Sequence, residues 1–317
     1  MAYKQEIVLT KWVAELKFPD FEFIADRVLT TVNVEAPGKY YIYQRRGLRK
    51  INDEVTIDGN SPTIETGGKY LEGTFAPTEY AINTFIKVNE NDVLGRPAQK
   101  RLEEKIKELT LNRRFNKEYQ MKTLLDSASN SESITTPWDS TSATIEKDIR
   151  DLIKVFRDQA GVQPNAMIIP SNIWDKMIMD ETLSNRWTLM PGRANQENLD
   201  LERLLTILFK NFKYIFIPTC MYSSGNRGNE TETDLWEGKT LYMLYLGGSP
   251  QKMPNGDIAQ IGAETTFTWA SIFKKKNETV GSWLSPNGKI KYYELTEAYD
   301  MKLVCENAVL KVTNVVS

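Results

Sequence analysis

The chain has 317 residues, of which 41% are hydrophobic, and this is enough apolar material for substantial cores. Forty basic and forty-two acidic residues give a net charge of -2, so no overall field draws the protein to nucleic acid or to a membrane surface. The sequence contains no histidine, which excludes histidine-based triads and removes the commonest transition-metal ligand. The composition therefore argues against an enzyme, and it indicates no cofactor, no metal and no small-molecule substrate.

The N-terminal stretch MAYKQEIVLTKWV lacks the apolar core of a signal peptide. No window approaches the apolar run of about 18 residues that a membrane span requires. We therefore expect a soluble chain that starts in a cytoplasm and has no membrane partner. Cys220 and Cys305 lie far apart without CxxC spacing, which favours reduced thiols over a disulfide.

Residues 1–36 show no clean period until an alternating run near their end, and they are predicted to form an extended arm. Residues 37–70 are predicted to form a long hairpin-like ribbon, with β-forming residues in YYIY and turn signals at 58–60. Few apolar residues are available to hold this ribbon against its own domain, and a lone two-stranded ribbon is marginally stable in water. The ribbon is therefore expected to need a partner surface.

Basic side chains precede acidic ones along the ribbon. Such a separation suits docking onto a complementary neighbour, and it suits a solvated hairpin equally well. The alternating apolar residues of its second run share one face. The residues predicted to contact a neighbouring subunit are Arg45, Arg46, Arg49, Lys50, Val55 and Ile57.

From Asn91 to about residue 126 the sequence predicts one very long helix, with Asp92 as its N-cap and apolar residues every three or four positions. Nine basic residues stand against four glutamates between Arg96 and Lys122. This excess indicates either a face for a polyanion or a solvated helix with Glu–Lys pairs, and the two interpretations stay open. The candidate residues for an inner-surface basic face are Arg113, Arg114 and Lys117.

After a polar loop the pattern becomes that of a mixed α/β unit. A helix is predicted over 144–160, ended by Gly161, and is followed by a short buried strand at 167–169. Ser171 is placed to cap the next helix. A further helix leads into the strand YIFIP, and the chain closes with β-like runs that must pair with some earlier part.

Two short motifs have a functional and an ordinary interpretation. EGKT at 237–240 resembles the tail of a phosphate-binding loop, but Thr233 stands where that loop requires glycine and a strand follows, so a turn is favoured. The lysines at 274–276 follow an aromatic strand. They either contact phosphate or suppress edge aggregation at a strand end, and the second interpretation is favoured.

The order of arm, ribbon, very long helix, α/β unit and returning strands resembles the major capsid protein of tailed double-stranded-DNA bacteriophages, which has the Hong Kong 97-type fold. The resemblance covers the chain from about Gly38 onward, and the order and spacing of several segments make it specific. These segments are GKYYIYQRRGLRK, FAPTEYAINTFIKVNENDV, PNAMIIPSNIWDKM, LLTILFKNFKYIFIPTCMYSSG, LWEGKTLYMLY, GAETTFTW and AYDMKLVCENAVLKV.

The resemblance implies an α+β fold divided in five parts. These are an N-terminal arm at 1–36, an extended β-ribbon loop at 37–70, a peripheral domain with a spine helix at 71–136, an inserted axial α/β domain at 137–291 and peripheral return strands at 292–317. The sequence has no long N-terminal segment of the kind that some members use as a fused scaffold. A separate scaffolding protein, or none, is therefore expected.

The function implied is structural. Family members form pentamers and hexamers that tile an icosahedral shell around packaged double-stranded DNA. The partners implied are other copies of the chain, portal and scaffolding proteins, and DNA through non-specific contact. The location implied is the virion capsid, assembled in the host cytoplasm.

Two alternatives remain open at this stage. An encapsulin-like cellular shell protein shares the fold and stores an enzyme cargo in place of DNA. A carboxylate-dependent hydrolase on the α/β unit belongs to a different class, since Asp and Glu are abundant, although no pair of them is marked by the pattern.

Overall fold

The structure is a computed structural model that describes residues 4–16, 23–42, 71–87, 98–188, 201–224, 231–247, 249–252, 258–261 and 267–317. In chain order the first elements are β1 Lys4–Gln5, α1 Ile7–Glu15, α2 Ala25–Val28, β2 Thr30–Asn33, β3 Gly38–Ile42, β4 Leu71–Phe75, β5 Thr78–Lys87, α3 Ala98–Asp126 and β6 Ser131–Ser133. The middle elements are α4 Ile145–Ala160, β7 Ala166–Ile168, α5 Ser171–Ile178, α6 Glu181–Thr188, α7 Leu201–Leu208, β8 Tyr214–Phe216, β9 Met221–Ser224, β10 Thr231–Asp234 and β11 Leu241–Leu244. The last are β12 Ser249–Lys252, β13 Ile258–Ile261, β14 Ala270–Leu284, β15 Ile290–Leu303, a 3-10 turn at Glu306–Ala308 and β16 Val309–Thr313.

The first large sheet has the strand order β1-β14-β15-β5, with β2 lying parallel beside β14. β14 and β15 form its long antiparallel centre, and their pairing shifts register between Lys274 and Thr279. Alternate side chains of the sheet face α3, where Val280 and Leu295 pack with Ile106 and with Val13 of α1. The long helix therefore lies against one face of this sheet.

The second sheet has the order β6-β16-β11-β7-β8, and its strands β7 and β11 are buried on both faces. Met167 of β7 points into a core that α4, α5 and α7 cover, whereas Ile168 points into another core. That other core also contains Met121 and Leu125 of α3. Burial on both faces explains why these strands read as continuous apolar runs instead of alternating ones.

Two strands pair across the predicted domain boundaries. The predicted axial range 137–291 includes β14, but β14 pairs with β15 and β5 follows on the other side of β15, so β14 belongs to the first sheet. The predicted return range 292–317 includes β16, but β16 pairs with β11 in the second sheet. An apolar run specifies a buried strand and does not specify which distant strand it joins. The division into peripheral and axial domains stays a prediction.

The predicted helices agree more closely with the structure. α4 spans Ile145–Ala160, and Gly161 ends it in the left-handed conformation with φ 75°. The predicted cap at Ser171 is wrong, because Pro170 occupies the cap position and no side chain caps the helix. α3 is described from Ala98 to Asp126, so the predicted start at Asp92 lies outside the described residues.

The N-terminal residues are not uniformly extended as predicted. α1 is a helix of nine residues whose Val13 is 1% exposed in the core beneath α3. Its position is held by the backbone N–H of Val280, which donates to Thr10 Oγ1 at 3.0 Å. Burial of one apolar face stabilises the helical conformation, which short segments rarely keep alone. No helix in the described ranges combines the length and the apolar character needed to cross a bilayer.

The two cysteines form no disulfide and are both buried, which agrees with the predicted thiols. Burial raises the pKa of the Cys305 thiol to about 11. Because the thiolate is the reactive form, a thiol-reactive dye should label neither cysteine in the native chain at neutral pH and both in denaturant. Counting labelled thiols by mass spectrometry tests this. Rapid labelling of Cys305 without denaturant would contradict the buried position.

Candidate functional site

The predicted contact residues Arg45, Arg46, Arg49, Lys50, Val55 and Ile57 lie outside the described residues. The structure describes the root of the ribbon instead, where β3 and β4 pair antiparallel from Gly38 with Phe75 to Ile42 with Leu71. The chain thus leaves on β3 and returns on β4. This pairing agrees with a hairpin at its base, and the contact residues themselves stay a prediction.

The hairpin root is packed against the first sheet through aromatic rings. The Phe75 ring stacks on Phe273 of β14 with centroids 4.3 Å apart, and the Tyr40 ring lies 5.2 Å from Phe273. The Tyr40 hydroxyl donates to the carbonyl of Leu303 at 3.1 Å. Burial and the nearby Asp300 carboxylate raise the pKa of Tyr40, which keeps the hydroxyl protonated and able to donate. The root therefore has a defined position on β14 and β15.

The buried side of α3 contains charged residues where an apolar stripe would be expected. Lys117 Nζ lies 2.8 Å from Glu297 Oε2 on β15, and Lys274 Nζ of β14 lies 2.8 Å from Glu297 Oε1. The Arg113 guanidinium lies over the Tyr299 ring at 5.1 Å, with its Nε 3.5 Å from Glu297. One carboxylate on the sheet thus faces three cations from a helix and a strand.

The predicted basic face does not hold at Arg113 and Lys117, whose side chains are 2% and 5% exposed. Both positions continue the helical spacing of the buried Ile106 and Leu109, so they point at the sheet and not at solvent. Arg114 is half-buried and donates to the carbonyl of Leu16 at 3.4 Å. The spacing could have revealed this from sequence, since two basic residues four apart fell in register with the apolar stripe.

The cluster keeps its charges inside the protein. Burial opposes the charge of Lys117, but the carboxylates of Asp26, Glu297 and Glu278 outweigh it and raise the pKa of Lys117. Burial likewise opposes the charge of Glu297, and Lys117 and Lys274 outweigh it and lower the pKa of Glu297. Each charge is therefore maintained by its partner, and removing one leaves the others uncompensated.

Glu118 is a second buried carboxyl group and lies on α3, and the sequence pattern did not single it out. Its Oε2 accepts the backbone N–H groups of Ile24 and Ala25 at 3.0 and 2.8 Å, and its Oε1 accepts Trp236 Nε1 at 3.0 Å. Burial raises the pKa of Glu118 to about 8 in spite of these three donors. One side chain thereby joins the N-terminal segment, the long helix and the segment before β11.

The two short motifs of the sequence, EGKT and the three lysines, both lie in the described part of the structure. EGKT at 237–240 lies in the turn before β11, as favoured, and the Gly238 carbonyl accepts a hydrogen bond from Asn172. The lysines at 274–276 lie within β14 and not at a strand end, which corrects that part of the prediction. Lys276 forms an exposed ion pair with Glu79 of β5 at 3.0 Å.

The whole described structure resembles solved phage structures. A phage-related protein from Bordetella bronchiseptica RB50 matches with a TM-score of 0.70 and 13% identity, covering 99% of each chain. The mature capsid of bacteriophage PhiM1 matches with a TM-score of 0.54 at 8% identity, over 94% of this chain and 89% of that one. The capsid of the Myoviridae phage XM1 matches with 0.53 at 11% identity, over 94% and 93%. The chain has the Hong Kong 97-type capsid fold.

The capsid fold confirms the fold class that the sequence resemblance predicts. Comparisons with protein-family models and with curated proteins give no match. The likeness therefore rests on three-dimensional structure at low identity. The hairpin root and the buried cluster of α3 are two places where named side chains hold neighbouring elements on the first sheet.

Removing one partner from the buried ion cluster should strongly destabilise the protein. We expect Glu297→Gln to lower the free energy of unfolding by about 3–5 kcal/mol, because it leaves buried cations without their counter-charge. The matched control is Glu79→Gln, which breaks the exposed pair with Lys276 on the same sheet and should cost less than about 1 kcal/mol. Urea unfolding of both variants measures this, and equal losses would contradict the assignment.

Glu118 should make stability depend on pH. Its pKa is raised from 4.5 to about 8 on folding, so its favourable contribution is complete below pH 4.5 and is lost as the pH rises through 8. Relative to Glu118→Gln, the free energy of unfolding of the parent chain should fall by up to about 1.4 kcal/mol per pH unit in that window. Denaturant melts at several pH values test this. A difference that does not change with pH would show that Glu118 stays ionised.

Proposed function

We propose that the protein is the major capsid subunit of a tailed double-stranded-DNA bacteriophage. Its copies would associate into pentamers and hexamers that close an icosahedral shell around packaged DNA. The supporting observation is the capsid fold over nearly the full length of this chain and of the matched chains. Its role is structural and not enzymatic.

Each part of the fold has a place in this proposal. α3 acts as the spine helix behind the first sheet, and the ribbon at 37–70 extends from its root toward a neighbouring subunit. The basic run at Arg45, Arg46, Arg49 and Lys50 and the apolar Val55 and Ile57 lie on that neighbour. The helices α4 to α7, which fall in the predicted axial range 137–291, and the second sheet meet their equivalents at the axis of the ring.

The partners follow from this role. Portal and scaffolding proteins would take part in assembly in the host cytoplasm, and the finished subunit would reside in the virion capsid. Contact with packaged DNA would be non-specific and weak, because the net charge is -2 and two of the candidate basic residues, Arg113 and Lys117, are buried.

The decisive experiment is electron microscopy of the purified full-length chain, alone and co-expressed with a scaffolding protein from the same source. Rings or closed shells are the expected result. A monomer at high concentration under both conditions contradicts the proposal. Nuclease-protected double-stranded DNA in native particles supports a phage capsid, whereas an enzyme cargo supports an encapsulin-like shell.

Shortening the ribbon should separate folding from assembly. Replacing residues 44–66 by a tight turn should leave the unfolding transition nearly unchanged, since loop length enters closure entropy only logarithmically. Shell formation should be lost, because the ribbon's contacts with the neighbouring subunit are removed. Circular dichroism and electron microscopy measure the two effects.

A charge-reversal variant provides a milder test of the same contact. Replacing Arg45, Arg46 and Arg49 by Glu should weaken assembly, and added salt should then favour assembly where it opposes assembly in the parent. A folded, ribbon-shortened protein that still forms shells of the parent's size would contradict the proposed contact.

A further inference from the structure

Two glycines at the root of the hairpin lie beneath aromatic rings of the opposite strand. Gly38 pairs with Phe75, and Gly73 pairs with Tyr40. A Cβ atom at Gly73 would lie 2.5 Å from Cε1 and Cζ of Tyr40, and one at Gly38 would lie 2.9 Å from Cζ of Phe75. No larger residue fits at either position while the rings stay in place, so the close approach requires glycine.

Both rings converge on one residue of the sheet. Phe75 and Tyr40 contact the Phe273 ring, which is 5% exposed and belongs to β14. β14 is flanked there by β15 and β2, so Phe273 is held by strand pairing on both sides. Aromatic contacts of this kind contribute beyond the area they bury and depend on ring geometry.

Polar contacts hold the same root from the side of β15. The Tyr40 hydroxyl donates to the carbonyl of Leu303, and the backbone N–H of Ala76 donates to Asp300 at 2.9 Å. One bond comes from β3 and the other from the residue after β4. Both arms of the hairpin are therefore fixed to the same two strands, which leaves the root a single orientation.

We propose that Tyr40, Phe75 and Phe273, packed on Gly38 and Gly73, form an aromatic clamp that sets the direction in which the hairpin leaves the sheet and thus the angle at which one subunit meets the next. These three are positioning residues. The clamp itself is a property of the single chain. Its effect on the angle between subunits rests on the proposed function as a shell subunit.

The test variant is Gly73→Ala. Its new methyl group displaces the Tyr40 ring without altering any residue of the cores. The matched control is Gly238→Ala, because a Cβ at Gly238 meets nothing within 4 Å. Tyr40→Leu is the second variant. It removes the ring contact with Phe273 and the hydrogen bond to the Leu303 carbonyl at a half-buried position. It keeps the clamp testable if Gly73→Ala does not fold.

Hydrogen exchange in unassembled subunits measures the clamp directly. Amides of residues 38–42 and 71–75 should exchange about tenfold faster in Gly73→Ala and Tyr40→Leu, while amides of α4 stay at the parental rate. Gly238→Ala should match the parent throughout. Parental exchange at the hairpin root in both test variants overturns the clamp.

Electron microscopy of assembled particles tests the link to assembly. Both clamp variants should give a broader distribution of particle diameters or open sheets, whereas Gly238→Ala should give shells of parental size. Shells of parental size from both clamp variants overturn the role in setting the angle. If the parent chain itself forms no particles, the proposed function fails, and the exchange experiment still decides whether the clamp exists.

Discussion

The position of α3 on the first sheet depends on the buried contact between Lys117 and Glu297. A purely apolar helix face could pack on a sheet in several registers at similar cost. A buried carboxylate between two lysines has one favourable arrangement, because any shift leaves a charge in an apolar setting without its partner. We therefore read the cluster as a register-setting contact that is costly to form and costlier to break.

Helix α3 also connects the two sheets. The N-terminal half of the helix packs on the first sheet through Ile106, and the C-terminal half enters the core that β7 and β11 share, through Met121 and Leu125. Glu118 of the C-terminal half accepts hydrogen bonds from the N-terminal segment at Ile24 and from Trp236 before β11. Tilting the helix would disturb both cores at once, so α3 transmits position from one sheet to the other.

The hairpin root depends on the same frame. Phe273 lies one residue before Lys274, so the strand that supplies a cation to Glu297 also supplies the ring on which Tyr40 and Phe75 pack. The two side chains project from opposite faces of β14, one toward the helix and one toward the hairpin. Whatever fixes β14 against α3 therefore also fixes the base of the hairpin formed by β3 and β4.

The sequence by itself determined the elements whose signals are local. The period and the terminal glycine specified α4, the apolar run specified β7, and the order of segments carried the resemblance to the capsid fold. The tertiary structure decided what depends on distant partners: that β14 joins β15 and that β16 joins β11. It also decided that Arg113 and Lys117 are buried, because their counter-charge, Glu297, lies about 180 positions away on a strand. The sequence pattern predicts that a charged residue is exposed unless its neutralising partner can be identified. Folding alone brings the two residues together.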